Sequence, residues 1–298
     1  MADPRRTRPT DTHDINADLH CHSVISDGTL SPEAIVERAH RTGVDILALT
    51  DHDELGGLVA AQARAQSLGL PFVPGVEVSV TWGGETIHIV GLRVDPHHAG
   101  LAQGLDRTRN GRDERAREIS AQLAVAGIPD AYEGALKYAG NPELISRSHF
   151  ARYIVETGTC ASVHDVFERF LIEGKPGFIP HRWARLSDAV GWICEAGGTA
   201  VVAHPGRYAL SELAMDQFIR EFCDAGGTGI EVVSGSHAPG QSERYVAMAR
   251  HYGLSASRGS DFHGPNESRH DLGSMPPLPR SVTPVWHHWP EAHALERR

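Results

Sequence analysis

Apolar runs of strand length in this chain end repeatedly in histidine or a carboxylate. His20, His22, Asp27, His52, Glu77, His88, His149, Asp261 and His263 all stand at or beside the ends of such runs. Imidazole and carboxylate are the ligand set of zinc, manganese and iron. A tetrahedral site takes four ligands, and a catalytic one keeps a position open. Nine donors, with a carboxylate among them able to bridge, therefore imply two or three adjacent divalent metals. The pattern points to a multinuclear metallohydrolase.

The connections between these runs read as a parallel α/β architecture. Ser31, Pro32 and Glu33 supply an N-cap, a first-turn proline and a favourable dipole charge, so a helix opens there and should stop at Gly43. VDILAL follows as a buried strand. A second helix is expected from about Glu54 to Leu68, up to Gly69, then the strand FVPGVEVSV. Later, EAGGTAVVAHP and DAGGTGIEVVSG each end a helix at paired glycines and begin a strand at once. With 298 residues, 40% of them hydrophobic, one α/β barrel plus an insertion accounts for the length.

Residues 17–96 and 178–285 are assigned to the discontinuous barrel, and 97–177, which is helical in pattern, to an insertion or cap domain. Residues 1–16 read as a disordered tail, and the proline-rich C-terminal segment as a strap over the body before it frays. His97, His98 and the C-terminal histidines read as solvated or packed. A formal charge of -10 opposes binding of long nucleic acid but not of short anionic substrates, because bound metals reverse the local charge. No apolar run approaches the roughly 18 residues of a membrane span, and the polar start MADPRRTRPTDTHDIN lacks the apolar segment expected of a secretory signal. Cys21, Cys160, Cys194 and Cys223 form no CxxC pair, so reduced thiols in the cytoplasm are expected.

Strand geometry sharpens several ligand assignments. His20 and His22, two apart, face one way while Cys21 faces the other. Asp27 lies in the tight loop before a helix, on the side where a barrel's active face is found. In ALTDHD, His52 is the ligand candidate and either Asp51 or Asp53 is expected to cap the next helix. Gly83-Gly84 predicts a two-residue hairpin that sets Ser79 opposite His88 and Glu77 opposite Val90. Glu77 and His88 then share a face as diagonal neighbours about 7–8 Å apart. Asp261 and His263 repeat the i, i+2 spacing. His149 lies at a helix start. His204, ending AVVAH, is open to three roles: ligand, proton donor to the leaving group, or phosphate contact.

The segments DLHCHSVISDGTLSPE, ALTDHD, GVEVS, IHIVG, SRSHFAR, AHPGRY and GSDFH, in this order, resemble the PHP (polymerase and histidinol phosphatase) family from Asp18 to His263. The resemblance implies a distorted (β/α)7 barrel with three divalent metals at its mouth. It assigns His20, His22, Glu77 and Asp261 to one metal, Asp27, His52 and His263 to a second, and Glu77, His88 and His149 to a third. Size and insertion resemble the stand-alone branch of nucleoside 3',5'-bisphosphate phosphatases and short-RNA exonucleases. The implied reaction is removal of the 3'-phosphate from a pAp-like substrate by a metal-bridged hydroxide, with 5'-to-3' trimming of short RNA. Asp27 and His204 are the candidate catalytic residues. Arg112, Arg115, Arg147, Lys175 and Arg207 are candidates for holding phosphate oxygens. Manganese is the expected metal, with iron, zinc or magnesium as alternatives, and no obligatory protein partner is evident. The alternative readings are a histidinol phosphate phosphatase and a non-catalytic, metal-stabilised binding module.

Overall fold

The computed structural model describes residues 11–296, and in it seven strands follow one another around a single sheet in chain order. They are β1 (Ala17–Asp18), β2 (Ile46–Leu49), β3 (Phe72–Trp82), β4 (Glu85–Leu92), β5 (Thr199–Val202), β6 (Gly229–Ser234) and β7 (Ser255–Gly259). β1, β2 and β3 run parallel, as do β5, β6 and β7, while β4 is antiparallel to both its neighbours. Bonds from Leu19 N to Arg258 O (3.0 Å), Asp261 N to His20 O and His22 N to Phe262 O (both 2.9 Å) join the last strand to the first. The result is the expected distorted seven-stranded α/β barrel.

The distortion has a local cause. Gly83 and Gly84 have φ of 58° and 90°, which glycine adopts without strain, so β3 folds straight back as β4 instead of crossing over through a helix. The register is the expected one: Glu77 pairs with Val90 and Ser79 with His88. One face of the hairpin sends Val76, Val78, Val80, Ile87 and Ile89 into the main core, and the other carries Glu77, Ser79 and His88 beside the buried Val90.

Helix Pro32–Thr42 begins and ends where its sequence signals lie, with Ser31 accepting from Ala34 N (3.2 Å) and Gly43 in the left-handed region. The next helix departs from expectation. It spans Leu58–Leu68 and has no side-chain cap. Asp51 and Asp53 are committed to barrel loops instead, and Glu54 Oε1 accepts from Leu55 N and Gly56 N, holding the chain in a turn.

The helical segment has two packing environments. Helix Ala99–Arg109 inserts Leu101 and Leu105 into the main core, whereas Ala116, Ile119, Leu123, Phe150, Ile154 and Leu171 build a separate one. The expected tail also divides. Residues 1–10 lie outside the described residues, but Ile15 is buried in the main core and Trp286 Nε1 donates to Thr12 O (2.8 Å), so residues 11–16 are packed rather than disordered. The C-terminal strap buries Trp286 and Trp289 on the barrel, an apolar anchor that the count of prolines alone did not convey.

Candidate metal centre and substrate cleft

The chain leaving β1 stays extended, so His20 and His22 lie side by side, with ring centroids 5.2 Å apart. Cys21 points the other way and donates to Ala48 O (3.1 Å). The following loop turns sharply. At Gly28 an added Cβ would stand 2.3 Å from His22 O, so only glycine allows Asp27 to be carried back toward the histidines. Asp51 holds this loop, accepting from Ser23 N (2.7 Å), Ser23 Oγ (2.7 Å) and Ser26 Oγ (2.6 Å).

Three other buried carboxylates act alike. Asp53 accepts from Ser79 N (2.7 Å), Ser79 Oγ (2.8 Å) and Arg112, while its own N–H donates to Glu77 O (2.9 Å). Asp18 accepts from Ser260 N (2.9 Å) and Gly273 N (2.8 Å) beside Asp261. Glu231 receives His20 Nδ1 (2.7 Å) and His204 N (2.6 Å). Each ties a ligand-bearing loop to a neighbouring strand. Sequence reading missed all four roles, although a lone glutamate inside the apolar run GIEVVS was a usable signal for Glu231.

Glu77 is the centre of the array and is fully buried. Its Oε1 lies 2.9 Å from His204 Nε2 and 3.0 Å from His88 Nδ1. Its Oε2 lies 3.0 Å from His52 Nδ1, 3.2 Å from His20 Nε2 and 3.3 Å from His22 Nε2. Asp261 Oδ1 adds contacts at 3.3 Å to His22 Nε2 and 3.6 Å to His263 Nδ1, and Asp27 Oδ1 lies 3.4 Å from His263 Nε2 and 3.8 Å from His52 Nε2. The donors fall into four overlapping groups: His22, Asp27, His52 and His263; His20, His22 and Asp261; His52, Glu77 and His88; and His20, Glu77 and His204.

Eight of the nine sequence-assigned ligands are thus brought together. His149 is the exception and joins none of these groups among the described residues. It is the third residue of helix Arg147–Glu156, and its Nδ1 accepts from Ser146 N (3.1 Å), which turns the ring back onto the helix start. His204 stands beside Glu77 and His88 in its place. Burial, with Arg207 nearby, lowers the His204 pKa to about 4, so its imidazole is neutral, the form that binds a metal.

The electrostatics fit cations better than protons. Burial alone would raise the carboxyls of Glu77, Asp27 and Asp261, yet the surrounding imidazoles hold all three well below the usual range. Burial opposes charge on His20 and His22 too, but the carboxylates outweigh it, taking His22 to about 10. His52 goes the opposite way, well below its ordinary value, because burial wins there. The imidazoles cannot all be protonated at once. His20 Nε2, His22 Nε2, His52 Nδ1, Asp27 Oδ1 and Glu77 Oε2 are moreover buried without an aligned hydrogen bond. Lone pairs converging in this way on a carboxylate core suit divalent metal ions.

A cleft opens from the array toward the helical cap, lined by Arg112, Arg115, Arg147 and Arg207 together with Ser146, Ser148, Phe167 and Trp183. Arg115 donates from Nε to Ile179 O (2.9 Å) and Arg147 from Nη1 to Leu171 O (3.1 Å), and among the described residues neither has a carboxylate partner. Burial pulls their pKa values down to about 9 and about 10, and like charges add to it: Arg147 and Arg112 for Arg115, Arg207 for Arg147. Arg112 bonds Asp53 and lies 4.5 Å over the Trp183 ring. Arg207, half exposed, is 3.6 Å from Asp261 Oδ2. Lys175, the remaining candidate for holding phosphate, is exposed on a turn and does not line the cleft.

A PHP-domain family model matches residues 18–232, a span reaching from the first histidine pair to β6. The chain belongs to the PHP family. This PHP protein is 49% identical over 271 residues to the 3',5'-nucleoside bisphosphate phosphatase of Chromobacterium violaceum, covering 91% of this chain and 95% of that one. It is 40% identical over 283 residues to the 5'-3' exoribonuclease Rnm of Escherichia coli, covering 94% and 96%. A solved structure from Chromobacterium violaceum, described as an amidohydrolase with bound sulfate and no metal, superposes with a TM-score of 0.89 at 48% identity, covering 94% of this chain and 96% of that one. The PHP protein is accordingly a phosphoester hydrolase by family. Among its described residues no helix is long and apolar enough to cross a membrane.

Proposed function

We propose that this PHP protein removes the 3'-phosphate from nucleoside 3',5'-bisphosphates such as pAp, and trims short 5'-phosphorylated RNA from its 5' end at the same site. The observation that carries this reading is the placement of Arg115 and Arg147, guanidiniums without a carboxylate partner among the described residues, in one cleft with the donor array around Glu77. Two phosphate-binding elements side by side fit a substrate with two phosphates. The likeness to a bisphosphate phosphatase and to an exoribonuclease supports it.

The residues divide by task. His20, His22, Glu77 and Asp261 would hold one divalent ion, Asp27, His52 and His263 a second, and Glu77, His88 and His204 a third, with His204 replacing His149 in the assignment drawn from the family. Manganese suits such mixed imidazole and carboxylate donors. Bound there, divalent cations supply Lewis-acid charge that stabilises the oxygens of an in-line phosphoryl displacement. Arg115 and Arg147 grip the 5'-phosphate, for which a guanidinium fork is the matching shape. Ser148 Oγ, 3.0 Å from Asp27 Oδ2, keeps that carboxylate oriented at the edge of the cleft. With the 5'-phosphate anchored, the bond between O3' and the next phosphorus is the one presented, whether that phosphorus ends the molecule or leads to a second nucleotide. This accounts for both activities with one attacked bond. The four cysteines are free thiols, in keeping with work in a reducing cytoplasm.

Product analysis tests the regiochemistry. Manganese-loaded protein is expected to convert pAp to 5'-AMP, and Arg147→Ala or Arg115→Ala to raise KM for pAp at least tenfold. Release of 3'-AMP instead would overturn the placement of the two phosphates.

A further inference from the structure

The cleft carries a feature that neither the metal array nor the phosphate grip uses. Among its described lining residues, Phe167 and Trp183 alone carry carbocyclic aromatic rings. Trp183 is only 9% exposed, with the Arg112 guanidinium 4.5 Å from its ring centroid and the His181 ring edge-on at 4.2 Å. It is a wall already faced by other side chains. Phe167 is half-buried and reaches the cleft from a π-helical turn, Phe167–Leu171, closed by Ile172 N donating to Phe167 O (3.1 Å). Such turns are rare and concentrate at functional sites, because the extra residue pushes a side chain out of helical register. The Arg147 guanidinium lies over the Phe167 ring too, but farther off than Arg112 from Trp183, 5.8 Å from the centroid, so the ring adjoins the cation assigned to the 5'-phosphate.

We propose that Phe167 is the stacking platform for the nucleobase, and that the base is bound by its face and not read by its edge. This deepens, and rests on, the nucleotide reading above. A nucleoside whose 5'-phosphate is held at Arg147 carries its base within reach of the neighbouring ring. An adenine edge is read by a carboxamide and a guanine edge by an arginine fork; no asparagine or glutamine lines the cleft among the described residues, Arg112 is bonded to Asp53, and Arg115 and Arg147 are assigned to the phosphate. Of the four hydroxyls that do line it, Ser79 Oγ is bonded to Asp53 and those of Ser146 and Ser148 to Asp27, which leaves Thr86. Every base has a π-face, so stacking recognises a base without selecting one, at about 1–3 kcal/mol per base.

The test pairs a protein change with a substrate change. The substrates are pAp, pCp and a base-free ribose 3,5-bisphosphate carrying hydrogen in place of the base. Phe167→Leu keeps an apolar side chain against the cap core, and Phe167→Trp restores an aromatic face. In the parent protein, kcat/KM for pAp should exceed that for the base-free compound about tenfold or more, mainly through KM, with pCp within about fivefold of pAp. In Phe167→Leu the advantage of carrying a base should shrink to near one, and Phe167→Trp should recover it. If Phe167→Leu lowers kcat/KM on all substrates in equal proportion, or the base advantage survives in it, the stacking role is wrong. A preference for pAp over pCp beyond a hundredfold would contradict face-only recognition. Failure of the parent protein to turn over any of the three compounds while hydrolysing another phosphoester would instead remove the nucleotide reading itself.

Discussion

At the scale of single residues, the exchange of His149 for His204 is the sharpest claim. His204→Ala removes a donor beside Glu77 and His88 and is expected to lower metal content by about one ion per chain, whereas His149→Ala should leave it intact; elemental analysis after gel filtration decides. Glu231 bonds both His20 and the backbone of His204, so Glu231→Gln is expected to weaken metal affinity roughly 10–100-fold while the far-ultraviolet spectrum stays the same. His149 has a separate consequence. Burial, against an opposing pull from Asp27, lowers its pKa to about 4, below the unfolded value near 6.5. The unfolded chain therefore binds the proton more readily, so this contribution to stability is whole above about pH 6.5 and is lost as pH falls toward 4, to the extent of ~3 kcal/mol. Denaturation of metal-free protein across that range should show a shallower acid loss in His149→Ala than in the parent. Most of the donor set was legible in the sequence because strand periodicity alone puts His20 with His22 and Glu77 with His88. His149 was not, since its ring direction depends on how a cap helix docks, which no local spacing encodes.

At the scale of elements, loops carrying donors are locked by buried carboxylates that are not themselves donors. Asp53 is the most connected, with bonds to Ser79 and Arg112 and a φ of 51° next to His52. Asp53→Ala leaves the buried Arg112 guanidinium without its counter-charge and is expected to cost ~3–5 kcal/mol of stability, read as a lowered denaturation midpoint, with weakened metal retention alongside. Ser31 makes the contrasting case. Ser31→Ala removes only an N-cap bond on the outer helix Pro32–Thr42, for a loss of ~1 kcal/mol with metal content unaltered. The hairpin register and the first helix were readable from glycine pairs, alternation and capping residues, all local signals. The late start of helix Leu58–Leu68 was not readable, because the aspartates that look like its cap bond a loop and a strand distant in sequence.

At the scale of the whole molecule, a chain with a formal charge of -10 concentrates guanidiniums where its cap meets the barrel mouth. The separate apolar core beneath Arg115 and Arg147 fixes that cap as a second wall, and the barrel supplies the donor floor. The α/β rhythm announced the barrel, and the family's motifs announced the chemistry. The meeting of two walls in one cleft appears only in three dimensions, as does the failure of Lys175 to reach it. The central measurement is phosphate release and product chromatography on pAp, a 5'-phosphorylated trinucleotide and histidinol phosphate in parallel, with protein freshly loaded with manganese. Rapid turnover of pAp, with slower release of mononucleotide from the trinucleotide, both abolished by chelation, is the expected result. Turnover of histidinol phosphate alone, or none of the three with metal demonstrably bound, would contradict it.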